Sequence, residues 1–279
     1  MGIFSAIFRC LGPVSFGLFL AAFVACSSDE KTESAAPESE SQYGDWLVYS
    51  QDNVVVHYPE DHPFADRMSS LASGYPAAIE ADARLLQMAV PAETLHVYVY
   101  TGPGQAFDLT GERYPFVEGN HIHYWQPYYL GETVMEYVLS RWTDIEPRFR
   151  FLREGLITLM DHSQTSHHET VKNLIDKGER LPLDSLAADT IMNHNRWVLR
   201  SQQAASFMDF LIYTYGLPAL QGLWVATTDW GEAVRGLLKV TPKKLENEWV
   251  EFVERVSRGE KPQPKPMPWR ETPPDSDKQ

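Results

Sequence analysis

Cysteine is almost missing from this chain. Its two copies, Cys10 and Cys26, both fall in the first 26 of 279 residues. The rest therefore has no disulfide to staple it, no cysteine nucleophile and no thiolate metal cluster. Basic charge is also scarce: 24 Lys and Arg stand against 38 Asp and Glu, a formal net charge of -14. Such a chain repels phosphate backbones, so nucleic acid is not an expected partner. The same excess disfavours electrostatic attachment to anionic lipid. Long apolar runs are absent as well. Leu11–Ala25 is the one sustained stretch, and it falls short of the ~20 residues a membrane-spanning helix needs. Neither a Gly-x-Ser-x-Gly nor a His-Glu-x-x-His segment occurs, and no internal repeat marks a solenoid.

What is present at the start reads as an export signal. Arg9 is the one charged side chain before Asp29, the apolar run follows it, and small residues close that run at Ala25-Cys26. The segment Phe23-Val24-Ala25-Cys26 resembles a bacterial lipobox, with Phe23 where Leu is usual. That resemblance implies acylation of Cys26. Acyl chains contribute about 0.8 kcal/mol per buried methylene, which makes the anchor stable. Ser27 and Ser28, with no Asp after the cysteine, imply the periplasmic face of the outer membrane of a Gram-negative cell. The plainer alternative is cleavage near Ala25 and a free periplasmic protein.

The expected organisation has four parts: a signal over 1–26, a disordered polar tether over 27–42, a folded domain over 43–256, and a Pro-rich disordered tail over 257–279. Trp269 in that tail is either a docking residue or a tack onto the domain. The folded part is expected to be α+β. In its first half, strands are predicted over Trp46–Tyr49, Val54–Tyr58, Leu95–Tyr100 and Asn120–Trp125, with a helix from Pro63 to Met88. Gln51-Asp52-Asn53 supplies a hairpin turn, and Gly102-Pro103-Gly104 reads as a turn after a strand. In the second half, helices are predicted over Gly131–Trp142, Phe149–Asp161, Ser166–Lys177, Asn193–Tyr215, Pro218–Thr227, Trp230–Leu238 and Pro242–Val256. The aromatic side chains Tyr114, Phe116, Tyr124, Trp125, Tyr128 and Tyr129 either line a groove or fill a junction.

Four stretches carry a family resemblance. They are Val54-Val55-Val56-His57-Tyr58-Pro59 with the Ala-rich helix after it, and Leu95–Tyr100 with Phe107. The others are Phe151-Leu152-Arg153-Glu154-Gly155-Leu156, and Ser206-Phe207 to Tyr215-Gly216 with Glu246-Asn247-Glu248-Trp249. In order and spacing they resemble the gluzincin metallopeptidases of the peptidase MA-like group. The resemblance implies a small N-terminal sheet lobe with a packed helix, then a mainly helical C-terminal lobe. In that family two histidines four apart on one helix hold zinc, the Glu between acts as general base, and a Glu on the next helix is the third ligand. Here Glu136 matches the base position and Glu154 the third ligand, while Met135 and Leu139 stand at the histidine positions. Leucine has no lone pair, and a thioether suits soft Cu(I) rather than zinc.

The first reading is thus a lipid-anchored, non-catalytic homologue that keeps a cleft for a peptide or an envelope protein, with no zinc expected. Two alternatives stand beside it. One is an active metal-dependent hydrolase using His121 and His123, two apart on one strand, with Glu136 or Glu154. The other is a purely structural envelope lipoprotein. A third histidine group, His162, His167 and His168, is expected in a loop. Arg148, Arg150 and Arg153 are the expected partners of Glu154.

Overall fold

The structure is a computed structural model that describes residues 43, 45–125, 130–162, 166–188 and 194–260, the side chains of 194–197 excepted. The signal, Cys26, the tether, residues 261–279 of the tail with Trp269, and Tyr128 and Tyr129 lie outside the described residues, while Ser257, expected to open the disordered tail, is instead the last residue of a helix. The described chain is α+β, as the alternation of strand and helix patterns predicts.

Strands β1 (Trp46–Gln51) and β2 (Val54–Pro59) form the expected hairpin. Two residues, Asp52-Asn53, turn it, with Asp52 at φ 52°. Such short hairpins require a left-handed residue, and Asp and Asn tolerate that conformation. Strand β3 (Leu95–Val99) runs parallel to β2, and β5 (His121–Tyr124) runs parallel to β3. A short antiparallel edge strand, β4 (Phe116–Glu118), completes the order β1-β2-β3-β5-β4.

Side chains alternate across the sheet. Val54, Val56, Leu95, Val97, Val99, Ile122 and Tyr124 face inward and are buried. They pack against helix α1 (Met68–Leu85), which brings Leu71, Ala72, Tyr75, Ile79 and Ala83 to the same core. Helix α2 (Pro103–Thr110) packs its Ala106 on the opposite face, against Tyr98 and Tyr100. The predicted turn at Gly102-Pro103-Gly104 is in fact the start of α2. Pro103 is its first helical residue, where the missing N–H costs nothing and φ is already set.

The second half is helical: α3 (Thr133–Trp142), α4 (Arg150–Leu159), α5 (His167–Lys177), α6 (Leu183–Ala187), α7 (His194–Tyr215), α8 (Leu217–Trp224), α9 (Trp230–Leu238) and α10 (Pro242–Ser257). Three starts are capped by side chains: Ser166 accepts from Glu169 N–H, Asp229 from Glu232 N–H, and Thr241 from Lys244 N–H. His167 and His168 therefore open α5 instead of lying in a loop. Sheet and helices share one apolar core that runs from Val54 to Val253.

The helices meet in two ways. Gly155 on α4 faces α7 so closely that a Cβ there would lie 2.6 Å from the backbone carbonyl of Ala204. On the other side, α10 is stitched to α7 by polar groups. Trp249 Nε1 donates to Ser206 Oγ at 3.1 Å, and the Tyr215 hydroxyl donates to Glu248.

Candidate functional site

Helices α3 and α4 carry the residues that the resemblance singles out. Met135 is 0 % and Leu139 4 % exposed, and both belong to the apolar core. Thr133, Val134, Tyr137 and Val138 are buried with them, so α3 turns most of its surface inward. Glu136 sits at the margin of that face. Its carboxylate lies 3.2 Å from the Arg153 guanidinium, and Arg153 also approaches Glu146 at 3.6 Å. Burial raises the Glu136 pKa above the usual carboxylate range, against the pull of Arg153.

Glu154, on α4, lies 3.4 Å from Nε of Arg200 on α7. Arg200 is 3 % exposed. The pairing follows from Gly155: because α4 and α7 touch at Gly155 and Ala204, the residues one step away on each helix meet. Arg200 and Ala204 are four apart and so share a helix face. Arg200 is thus a partner of Glu154 that the sequence did not suggest. Of the arginines expected for it, Arg153 turns to Glu136, and Arg148 donates to the carbonyl of Thr227 at 2.5 Å.

Two more acids stand nearby, one half-buried and one fully buried. Glu132, just before α3, accepts from Thr158 Oγ1 at 3.0 Å. Burial raises its pKa, and the neighbouring charges of Asp161, Glu136 and Glu154 raise it further. Asp82 of α1 is fully buried, with His162 Nε2 at 3.3 Å. Burial pushes the Asp82 carboxyl up, and His162 opposes that shift. Sequence reasoning missed Glu132, Asp82 and Arg200. Only Asp82 carried a signal, as an acid within the apolar spacing of α1.

The zinc implied by the resemblance does not fit these residues. Positions 135 and 139 offer a thioether and a hydrocarbon in a packed core. The carboxylates of Glu136 and Glu154 each face a guanidinium, so a dication there would meet like charge. Among the described residues no group of three or more His, Cys, Asp or Glu is arranged to hold a metal ion.

The histidines lie elsewhere. His121 and His123 share one face of β5, as their spacing predicts. That face points away from α3, because Ile122 between them packs in the core with Met135. The structure does not bring them together with Glu136 or Glu154. His123 is 5 % exposed, with its Nδ1 2.7 Å from the Tyr100 hydroxyl. Burial lowers its pKa to about 4. His167 Nδ1 is 2.7 Å from Gln202 Oε1, and His168 contacts Ser206 Oγ and Asp209, which ties α5 to α7. Of the aromatic group, Tyr114 is exposed, Phe116 stacks on His123 at 4.2 Å, and Tyr124 is core.

No family model, no curated protein and no solved structure matches the chain.

Proposed function

We propose that this is a lipid-anchored envelope protein of gluzincin-like descent, with the helix pair α3–α4 serving as a non-catalytic binding cleft. One observation carries the reading. The two positions that need zinc-binding imidazoles are core hydrophobes, while the carboxylates beside them are retained and neutralised by Arg153 and Arg200. Without a metal, Glu136 has no activated water to deprotonate, and the described residues supply no alternative nucleophile motif. Half-buried acids with raised pKa values, Glu132 and Glu136, remain as hydrogen-bonding groups toward a peptide or a protein segment. Attachment through an acylated Cys26 places such a cleft at a membrane surface. No described helix is long and apolar enough to cross a membrane.

Three measurements test this. The full chain, in detergent with added zinc, should hydrolyse a fluorogenic peptide mixture no faster than buffer, and Glu136→Gln should change nothing. Cleavage abolished by Glu136→Gln contradicts the proposal. A random peptide pool should be retained by the immobilised chain and released by the Glu132→Gln/Glu136→Gln variant; absence of retention removes the cleft's binding role. Finally, Cys26→Ser should move the protein from the membrane to the soluble fraction, and an unchanged distribution rules out the anchor.

A further inference from the structure

The outer face of the sheet carries an arrangement that the α3–α4 site does not use. Register places side chains in rows across the strands. Val48, His57, Tyr98, His123 and Phe116 form one row, and Ser50, Val55, His96, His121 and Glu118 form the next. In the first row the rings stack. His57 and Tyr98 lie 4.6 Å apart at 9°, Tyr98 and His123 5.1 Å apart at 8°, and His123 and Phe116 4.2 Å apart at 3°. This stack is a rigid floor beside the second row. There His96 Nδ1 stands 3.0 Å from His57 Nε2, and the His121 ring is edge-on to His96 with centroids 5.3 Å apart. His57, His96 and His121 are all half-buried and reachable. Among the described residues, helix α2, Tyr43 and Trp46 cover the sheet around Tyr98 and Tyr100.

We propose that this face binds a transition-metal dication, with His57 Nε2 and His96 Nδ1 as ligands and His121 as the third donor. The distance supports it. Two imidazole nitrogens each about 2.0–2.1 Å from one metal lie roughly 3–3.4 Å apart, and this pair is already at 3.0 Å. Imidazole is the ligand that suits zinc, copper and nickel. The two rings share one hydrogen between the facing nitrogens. Entry of the metal needs that hydrogen moved to the other nitrogen of the same ring, which leaves both rings neutral and releases no net proton. His121 must rotate toward the pair to become the third ligand, which is why three donors do not already converge. Glu118, opposite His121, adds a nearby carboxylate.

The test is a titration of the full chain in detergent micelles with ZnCl2 and, separately, CuCl2, read by calorimetry and by 15N-histidine NMR. The expected result is one dication whose binding shifts the His57 and His96 ring nitrogens. Its affinity should fall at least tenfold in His57→Asn and in His96→Asn, each checked for fold by circular dichroism. Copper should bind more tightly than zinc, following the order of divalent affinities. Unshifted His57 and His96 resonances at millimolar metal overturn the proposal without any variant. So does an affinity in the two variants equal to that of the unsubstituted chain. Metal lost on Glu154→Gln but retained in the histidine variants contradicts the proposed function instead, so the two failures are distinguishable.

Discussion

At the scale of single residues, the Glu154–Arg200 pair decides how the helical half is held. Arg200 is buried, and removing one member of a buried ion pair leaves the other charge uncompensated, at a cost of about 3–5 kcal/mol. Arg200→Met is therefore expected to lower unfolding stability by about 3 kcal/mol in a urea melt. Adding Glu154→Gln to it should restore part of the loss, because the charge that faced Arg200 is gone; an additive double variant would show that the two side chains do not act as a pair. The sequence pointed to Glu154 as a retained acid and to Met135 and Leu139 as core, since apolar residues four apart mark a buried stripe. It did not point to Arg200, which lies on another helix and meets Glu154 only once α4 and α7 pack. His57 and His96 were missed for the same reason. Their separate strands give no local sign that a parallel register aligns them.

At the scale of elements, the contact between α4 and α7 depends on Gly155. A methyl group there would meet backbone, not a flexible side-chain end, so the helices must separate. Gly155→Ala is expected to cost about 1–3 kcal/mol or more by overpacking, read as a lower midpoint in thermal or urea unfolding. A stability change within about 0.5 kcal/mol would show that the helices part freely. Helices α1, α3 to α5 and α7 to α10 were legible from their apolar spacing, with caps adding to it at α5, α9 and α10. Helix α2, the five-residue α6 and strand β4 were not. The first hides behind a Gly-Pro-Gly start that also spells a turn, and the last is a three-residue edge that only its partner β5 defines. Some predicted second-half boundaries ran long, as at Pro218–Thr227 against the observed Leu217–Trp224, while Trp230–Leu238 matched and Pro242–Val256 fell one residue short of Ser257.

At the scale of the whole molecule, one core joins sheet and helices, so local titrations become global stability. His57 and His123 have folded pKa values of about 4, below the ordinary 6.5. Between those values the unfolded chain takes up protons that the folded chain refuses. Their contribution is present above pH 6.5 and is lost as pH falls toward 4. For the buried His123 alone this is on the order of 3 kcal/mol. The raised carboxyls of Asp82, Glu132 and Glu136 act the other way, with stability lost as pH rises through their folded pKa values. Unfolding measured in chelator should show His123→Gln flattening the slope between pH 6.5 and 4. An unchanged slope would mean that His123 is protonated in the folded state. The export signal, tether and tail were read from composition alone, so the lipid anchor stands on the Cys26 experiment.

The account's central claim is that the α3–α4 pair holds no zinc. The most direct test is the zinc content of the full chain carrying His57→Ala/His96→Ala, loaded with zinc, dialysed and measured by mass spectrometry. The two alanines remove the paired donors of the sheet face, and the loss on Glu154→Gln tells zinc at the helix pair from any held by the remaining His121 and Glu118. The account predicts a content near zero, unchanged by Glu154→Gln. One zinc per chain, lost on Glu154→Gln, would contradict it and make the helix pair a metal centre.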